Sequence, residues 1–209
     1  VYSSGYLNAT IMNLYIGNFS NGIFFVGNYS AFINNTVNLS SAGFYIDGDF
    51  NNLTGNTVRN GSTYGFYSQP GSNNNTFTSN TAFGNGYGIY IFSSIDNIFI
   101  NNNVTNSGSD GIFFSSDSTN NTLTDNYFCF NNQTGGSYDY NGTASNTETN
   151  TTCDTSNPAL ICDNACTVSL PIKVTNPVTI YPTGQSAVGS GAPQTIFFDV
   201  TINGTNIAS

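Results

Sequence analysis

The chain contains no histidine, and only Arg59 and Lys173 are basic among its 209 residues. Without an imidazole base, serine-triad and cysteine–histidine nucleophile chemistry is excluded. There is no G-x-x-x-x-G-K phosphate loop and no G-x-G-x-x-G turn. Eleven acidic residues against two basic ones leave a net charge of −9. No basic stripe can be built, so nucleic acid is not expected as a partner, and anionic membranes and acidic polysaccharides are disfavoured. No apolar run approaches the roughly 20 residues a membrane helix needs, so direct membrane insertion is not expected. The sequence opens at Val1 with no signal-peptide pattern, as expected of a processed or excised chain.

Phenylalanine and tyrosine are plentiful, at 17 and 13 residues, and they recur in register. The repeated phrase is an apolar residue, Asn three places on, then Gly and an apolar pair. It reads Phe32…Asn35…Gly43-Phe44-Tyr45-Ile46, Leu53…Asn56…Gly65-Phe66-Tyr67 and Phe77…Asn80…Gly88-Ile89-Tyr90-Ile91. It continues as Phe99…Asn102…Gly111-Ile112-Phe113-Phe114 and Leu123…Asn126, after a degenerate copy at Ile11…Leu14…Gly22-Ile23-Phe24-Phe25. The glycines are spaced by 21, 22, 23 and 23 residues. Short alternating stretches at this period predict strands, and a unit that cannot bury its apolar face alone must stack on its neighbours. The expectation is an all-β, right-handed parallel β-helix of about six coils over residues 1–140, with coils about 4.8 Å apart.

The column Asn35, Asn56, Asn80, Asn102 and Asn126 is the best-defined position. Asn tolerates the left-handed backbone of a tight corner, and its amide can donate to and accept from the Asn one coil away, giving a ladder. The glycine column is expected to supply a positive φ before each strand. Tyr45, Tyr67, Tyr90 and Phe113 alternate with core positions and form an outward aromatic stripe. That stripe reads either as a contact surface or as a face covered by the C-terminal segment.

The N-x-[TV] and G-[IF]-x-[IF] phrases over residues 8–138 resemble the parallel β-helix repeats of the NosD-like and pectate-lyase-like superfamily. They look most like the Asn-, Thr- and Gly-rich versions in archaeal, notably methanogen, surface and sheath proteins. The resemblance implies the fold. The His, Arg or Lys of the superfamily's lyases has no matching position, because Arg59 is the only basic residue in the solenoid.

Residues 141–166 read as a polar loop followed by a cysteine-rich segment. Cys129, Cys153, Cys162 and Cys166 are expected in disulfides, because zinc or iron–sulfur sites need C-x-x-C pairs or added His. Sequence proximity favours Cys162–Cys166 with Cys129–Cys153. Residues 167–209 read as short strands resembling part of an immunoglobulin-like sandwich, or strands that add to another subunit. Fourteen Asn-x-Ser/Thr sequons begin at Asn8, Asn18, Asn28, Asn34, Asn38, Asn52, Asn60, Asn74, Asn103, Asn120, Asn132, Asn141, Asn150 and Asn203. With the cysteines, they point to an extracellular, cell-surface protein carrying covalent N-glycans.

No catalytic residue is assigned and no cofactor is expected. Asp47/Asp49, Asp96, Asp110, Asp117 and Asp125 are carboxylates that could serve glycoside hydrolysis, but their repeat positions do not coincide and they read as turn residues. Asp47-Gly-Asp49 offers a weak Ca²⁺ candidate. The leading functional expectation is a non-enzymatic structural protein that self-assembles into a surface layer, sheath or filament. Its partners would be copies of itself, meeting through bare solenoid ends or the C-terminal strands. The alternatives are a carbohydrate-binding or carbohydrate-active module, and a passive stalk.

Overall fold

The computed structural model describes residues 1–132, 135–143, 145–158, 162–167, 200–202 and 205–207. The chain divides into two units, Val1–Val168 and Ser169–Ser209. The first unit is a parallel β-solenoid. Its first coil holds β1 (Tyr2–Leu7), β2 (Thr10–Met12) and β3 (Tyr15–Gly17); the second holds β4 (Asn21–Asn28), β5 (Ala31–Ile33) and β6 (Thr36–Asn38). The third holds β7 (Ala42–Asp47), β8 (Asn52–Thr54) and β9 (Thr57–Arg59); the fourth holds β10 (Tyr64–Ser68), β11 (Thr76–Thr78) and β12 (Thr81–Phe83). The fifth holds β13 (Tyr87–Ile91), β14 (Ile98–Ile100) and β15 (Asn103–Thr105); the sixth holds β16 (Ile112–Phe114), β17 (Thr122–Thr124) and β18 (Tyr127–Cys129). A seventh coil follows with β19 (Tyr140–Asn141) and β20 (Thr147–Thr149), and β21 (Ser156–Asn157) lies on β19.

The first strand of each coil joins an eight-stranded sheet A, the second a seven-stranded sheet B and the third a six-stranded sheet C. All these pairings are parallel, and apart from a register shift between Ser4 and Tyr6 in β1 they keep register, as in Phe66 opposite Phe44 and Ile89. Like side chains therefore stack inside. Phe44 lies on Phe66 with ring centroids 5.0 Å apart, and Phe77 on Phe99 at 4.8 Å. Each fully buried Phe contributes about 2–3 kcal/mol of transfer free energy that one coil alone could not gain.

From the second coil to the sixth, the three corners obey one rule. A residue with positive φ turns the chain, and the next residue points inward. At the B-to-C corner the turning residues are Asn13, Asn34, Gly55, Ser79, Asn101, Asp125 and Asn150. The expected Asn column follows them and does form the ladder. The Asn56 Nδ2 donates to Asn80 Oδ1 at 3.1 Å, and that oxygen also accepts the Asn56 backbone N–H at 2.9 Å. The left-handed conformation belongs to the preceding residue and not to the ladder Asn, because the ladder needs its side chain inside the core.

Two further ladders were not read from the sequence. At the A-to-B corner, the backbone N–H groups of Ser30, Asn51, Asn75, Asn97 and Asn121 donate to the side chains of Asn51, Asn75, Asn97, Asn121 and Asn146. At the C-to-A corner, the Gly61 N–H donates to Asn85 Oδ1 at 2.7 Å and the Ser107 N–H to Asn131 Oδ1 at 3.0 Å.

The glycine column corrects another expectation. Gly22, Gly43, Gly65, Gly88 and Gly111 are not among the positive-φ residues. They are required by space: a Cβ on Gly88 would collide with Val104 Cγ1 and with the Gly111 carbonyl of the next coil.

The segment 141–166, expected as a loop, instead extends the solenoid through β20 and β21. It escaped notice because Glu148 stands where the column carries Leu123, and Thr151 where the ladder carries Asn126. The disulfides are Cys129–Cys166 and Cys153–Cys162, not the pairing favoured by proximity. Parallel bridges stack Tyr127, Thr152 and Asn164, which brings the chain after Asn164 back along β18, where Cys166 reaches Cys129. Their Cα atoms are 5.8 Å apart.

In the second unit the described backbone is the antiparallel pair β22 (Val200–Ile202) and β23 (Thr205–Ile207). The other expected strands of 167–209, the immunoglobulin-like reading and the Asn203 sequon lie outside the described residues.

Candidate ligand face

Along sheet A, alternation sends every second side chain outward. Ile89 and Ile91 are buried while Tyr90 between them is half-buried. Because these positions pair from strand to strand, they form one outward column: Tyr2, Phe24, Tyr45, Tyr67, Tyr90 and Phe113. Successive ring centroids are 5.1, 4.3, 5.1, 5.6 and 4.7 Å apart. The rings lie nearly parallel at the start, at 17° and 14°, which covers their faces. From Tyr45 to Tyr90 they tilt by about 50° to one another, which opens part of each ring face to the outside.

A second column widens the middle of this face. Tyr64 stacks on Tyr67 at 4.7 Å and meets Tyr90 edge-on at 5.2 Å. Tyr87 meets Tyr90 edge-on at 5.1 Å. The sequence carried a signal for these two, since each precedes a column glycine by one residue. Five phenols thus gather on three consecutive coils. Burial, then the phenols of Tyr45, Tyr64 and Tyr90, push Tyr67 up to about 12. Burial raises Tyr90 ahead of Tyr64, Tyr87 and Asp110, and raises Tyr45 ahead of Asp47. These three hydroxyls therefore stay protonated and able to donate at neutral pH.

The carboxylates singled out in the sequence occupy different positions of the coil. Asp110 is buried and accepts the Tyr138 N–H at 2.6 Å and the Asn141 Nδ2 at 3.2 Å; burial raises its carboxyl, against these bonds. Asp96 turns the A-to-B corner and Asp125 the B-to-C corner, on different edges of the solenoid. Asp125 accepts the Asn150 Nδ2 at 2.6 Å, and Asp117 is exposed. Of the Ca²⁺ candidates, Asp49 accepts the Asn73 N–H at 2.7 Å, and Asp47 ends β7 in register with Val26. Among the described residues no three His, Cys, Asp or Glu side chains gather where a metal could sit.

The thirteen described sequon asparagines all reach the surface, whereas the ladder asparagines are buried. On sheet A the sequons are Asn28, at the end of β4, and Asn141, which continues the aromatic column beyond Phe113.

A parallel solenoid with an aromatic column along one sheet defines a β-helix protein. Residues 2–166 match the family described as periplasmic copper-binding protein (NosD), and the chain belongs to that family. No curated protein sequence matches it. Among solved structures, it is similar to the A-module of the mannuronan C-5 epimerase AlgE4 of Azotobacter vinelandii. The identity is 11% and the TM-score 0.48; the match covers 80% of this chain and spans about 60% of that module's length.

Proposed function

We propose that this chain is an exported, non-catalytic β-solenoid that binds a neutral polysaccharide along the aromatic face of sheet A. The observation that carries the reading is the cluster of Tyr45, Tyr64, Tyr67, Tyr87 and Tyr90. It combines ring faces tilted to one another with phenol hydroxyls in a row over three coils, the combination that packs on sugar C–H surfaces and bonds sugar hydroxyls. Asp47 and Asp110 flank the phenols, and among the described residues no cation lies beside them, which disfavours polyanionic chains. The two disulfides and the family's periplasmic description support a home outside the cytoplasm. Among the described residues no helix is long and apolar enough to cross a membrane. N-glycans on the exposed sequons belong to the same proposal.

The copper in the family's description does not fit this chain's donor set. Copper takes imidazole, thiolate or thioether ligands. The chain has no His and one Met, and all four cysteines are bonded to one another. No role is assigned to that metal.

The test is a screen against neutral polysaccharides with the protein and its Tyr67→Ala/Tyr90→Ala variant. Binding that is flat between about pH 5 and 9, and at least tenfold weaker in the variant, supports the reading. Absence of binding to every neutral polysaccharide overturns it and leaves the passive stalk. Self-assembly into a layer, sheath or filament, the leading expectation from the sequence, is the second reading.

A further inference from the structure

The A-to-B corner holds aromatic residues where the backbone disfavours them. Tyr29 and Phe50 turn it at φ 55° and 57°, an outlier conformation for large side chains that Asn adopts readily. Asn8, Asn74 and Asn120 take the same corner at φ 59°, 56° and 57°, and Asp96 at 58°. Tyr29 is 55% exposed and Phe50 47%. Their rings stack on each other, with centroids 5.0 Å apart and planes at 2°. Core packing explains neither ring, and residues held in such a conformation mark a local role.

The corner forms a column. Its backbone N–H groups all donate to the following coil: Tyr29 to the Asp49 carbonyl at 3.1 Å, Phe50 to Asn73 at 3.2 Å and Asn74 to Ile95 at 3.2 Å. Side chains at this position therefore leave successive coils in parallel, about 4.8 Å apart, as the two rings do. Beyond Phe50 the next side chain in the column is Asn74, which is exposed and opens the sequon Asn74-Asn75-Thr76. The Phe50 face turned away from Tyr29 thus looks toward whatever Asn74 carries. The amide nitrogen of Asn lies two bonds beyond Cβ, so a sugar joined to it starts level with the Phe50 ring.

We infer that Asn74 carries an N-linked glycan whose first sugar packs its C–H face on Phe50, with Tyr29 backing the ring. The co-reactant is a glycan donor activated as a phosphate ester, and the transfer is made by an external transferase. Asn74 Nδ2 bonds to the anomeric carbon and gives up one proton. The bond from that carbon to the phosphate oxygen breaks, and the phosphate leaves with the electron pair. The inference rests on the N-glycan part of the proposed function and not on its polysaccharide part.

Glycopeptide mass spectrometry of the protein from its native host comes first, and Asn74 is expected to be occupied. Thermal melts then compare variants made in the same host. Asn74→Gln should lower the melting temperature by about 2–4 °C. Asn120→Gln should lower it distinctly less, because its column neighbour Asp96 has no ring. In a Phe50→Asn background, which suits a positive φ and creates no sequon, Asn74→Gln should lose its effect. The occupancy measurement needs no variant and stands should one fail to fold. A bare Asn74 in a chain glycosylated elsewhere overturns this inference alone; a chain with no glycan at all overturns the N-glycan reading as well. Packing on Phe50 is overturned by an Asn74→Gln shift that persists in the Phe50→Asn background, or that is no larger than the Asn120→Gln shift.

Discussion

Asn102 Oδ1 accepts two hydrogen bonds from one residue, Asn80: the backbone N–H at 3.0 Å and the side-chain Nδ2 at 3.1 Å. The Asn80 Nδ2 also donates to the Leu53 carbonyl at 2.8 Å, so a single amide ties three coils together. All these atoms are buried, where an unmade bond costs more than a made one gains.

Asn80→Ala should therefore destabilise the protein by about 2–4 kcal/mol, since the Asn56 N–H and the Leu53 carbonyl lose their partners. Urea unfolding measures it. Asn74→Ala, at an exposed sequon in the neighbouring turn, should cost distinctly less.

Leu39 turns a corner at φ 55° with its side chain 53% exposed. A branched aliphatic residue is strained there, and other coils use Asn18, Asn60 and Asn106. Leu39→Asn should stabilise by about 1 kcal/mol and raise the melting temperature, the N–H bond to the Arg59 carbonyl being kept.

Glu148 gives the solenoid a pH response. It points into the core beside Tyr140, and neither carboxyl oxygen nor the Tyr140 hydroxyl makes a hydrogen bond of ordinary geometry. Burial pushes its carboxyl up to about 7 from 4.5, opposed by the Tyr140 phenol and helped by Asp163. A raised folded-state pKa means that stability is full below about 4.5 and declines as pH rises through about 7. Glu148→Gln should raise the melting temperature at pH 8, change it little at pH 4, and flatten the slope between. An unchanged slope would show that Asp110, also raised by burial, controls it.

The Cys129–Cys166 bond closes a span of 37 residues and holds the chain after the sixth coil against β18. Replacing both cysteines by Ser should cost about 4 kcal/mol. Amide exchange should accelerate around 151–166 first, leaving the second to fifth coils protected. Uniform acceleration would mean that the coils unfold as one unit.

The period of about 22 residues, the alternation within each apolar stretch and the Asn column were legible in the chain, because stacking repeats a chemical need at a regular interval. That determined a parallel solenoid, its Asn ladder and the outward stripe from Tyr45 to Phe113. Where the chemistry at a position changed, the interval went silent. Glu148 and Thr151 hid the seventh coil, and Ser30 and Ser40 broke up the other two corner columns.

Only the tertiary structure decided which of two adjacent residues turns the corner and which enters the core, for Asn34 and Asn35 differ in placement and not in chemistry. It also decided that Gly88 is small for the sake of the Gly111 carbonyl, one coil away, and that Cys129 meets Cys166. Stacking of coils likewise brings Tyr64 against Tyr87 and Tyr90, and Tyr87 against Phe113. The physical reason is the same in each case: the deciding contact runs between coils, at right angles to the chain, where sequence distance carries no information about proximity.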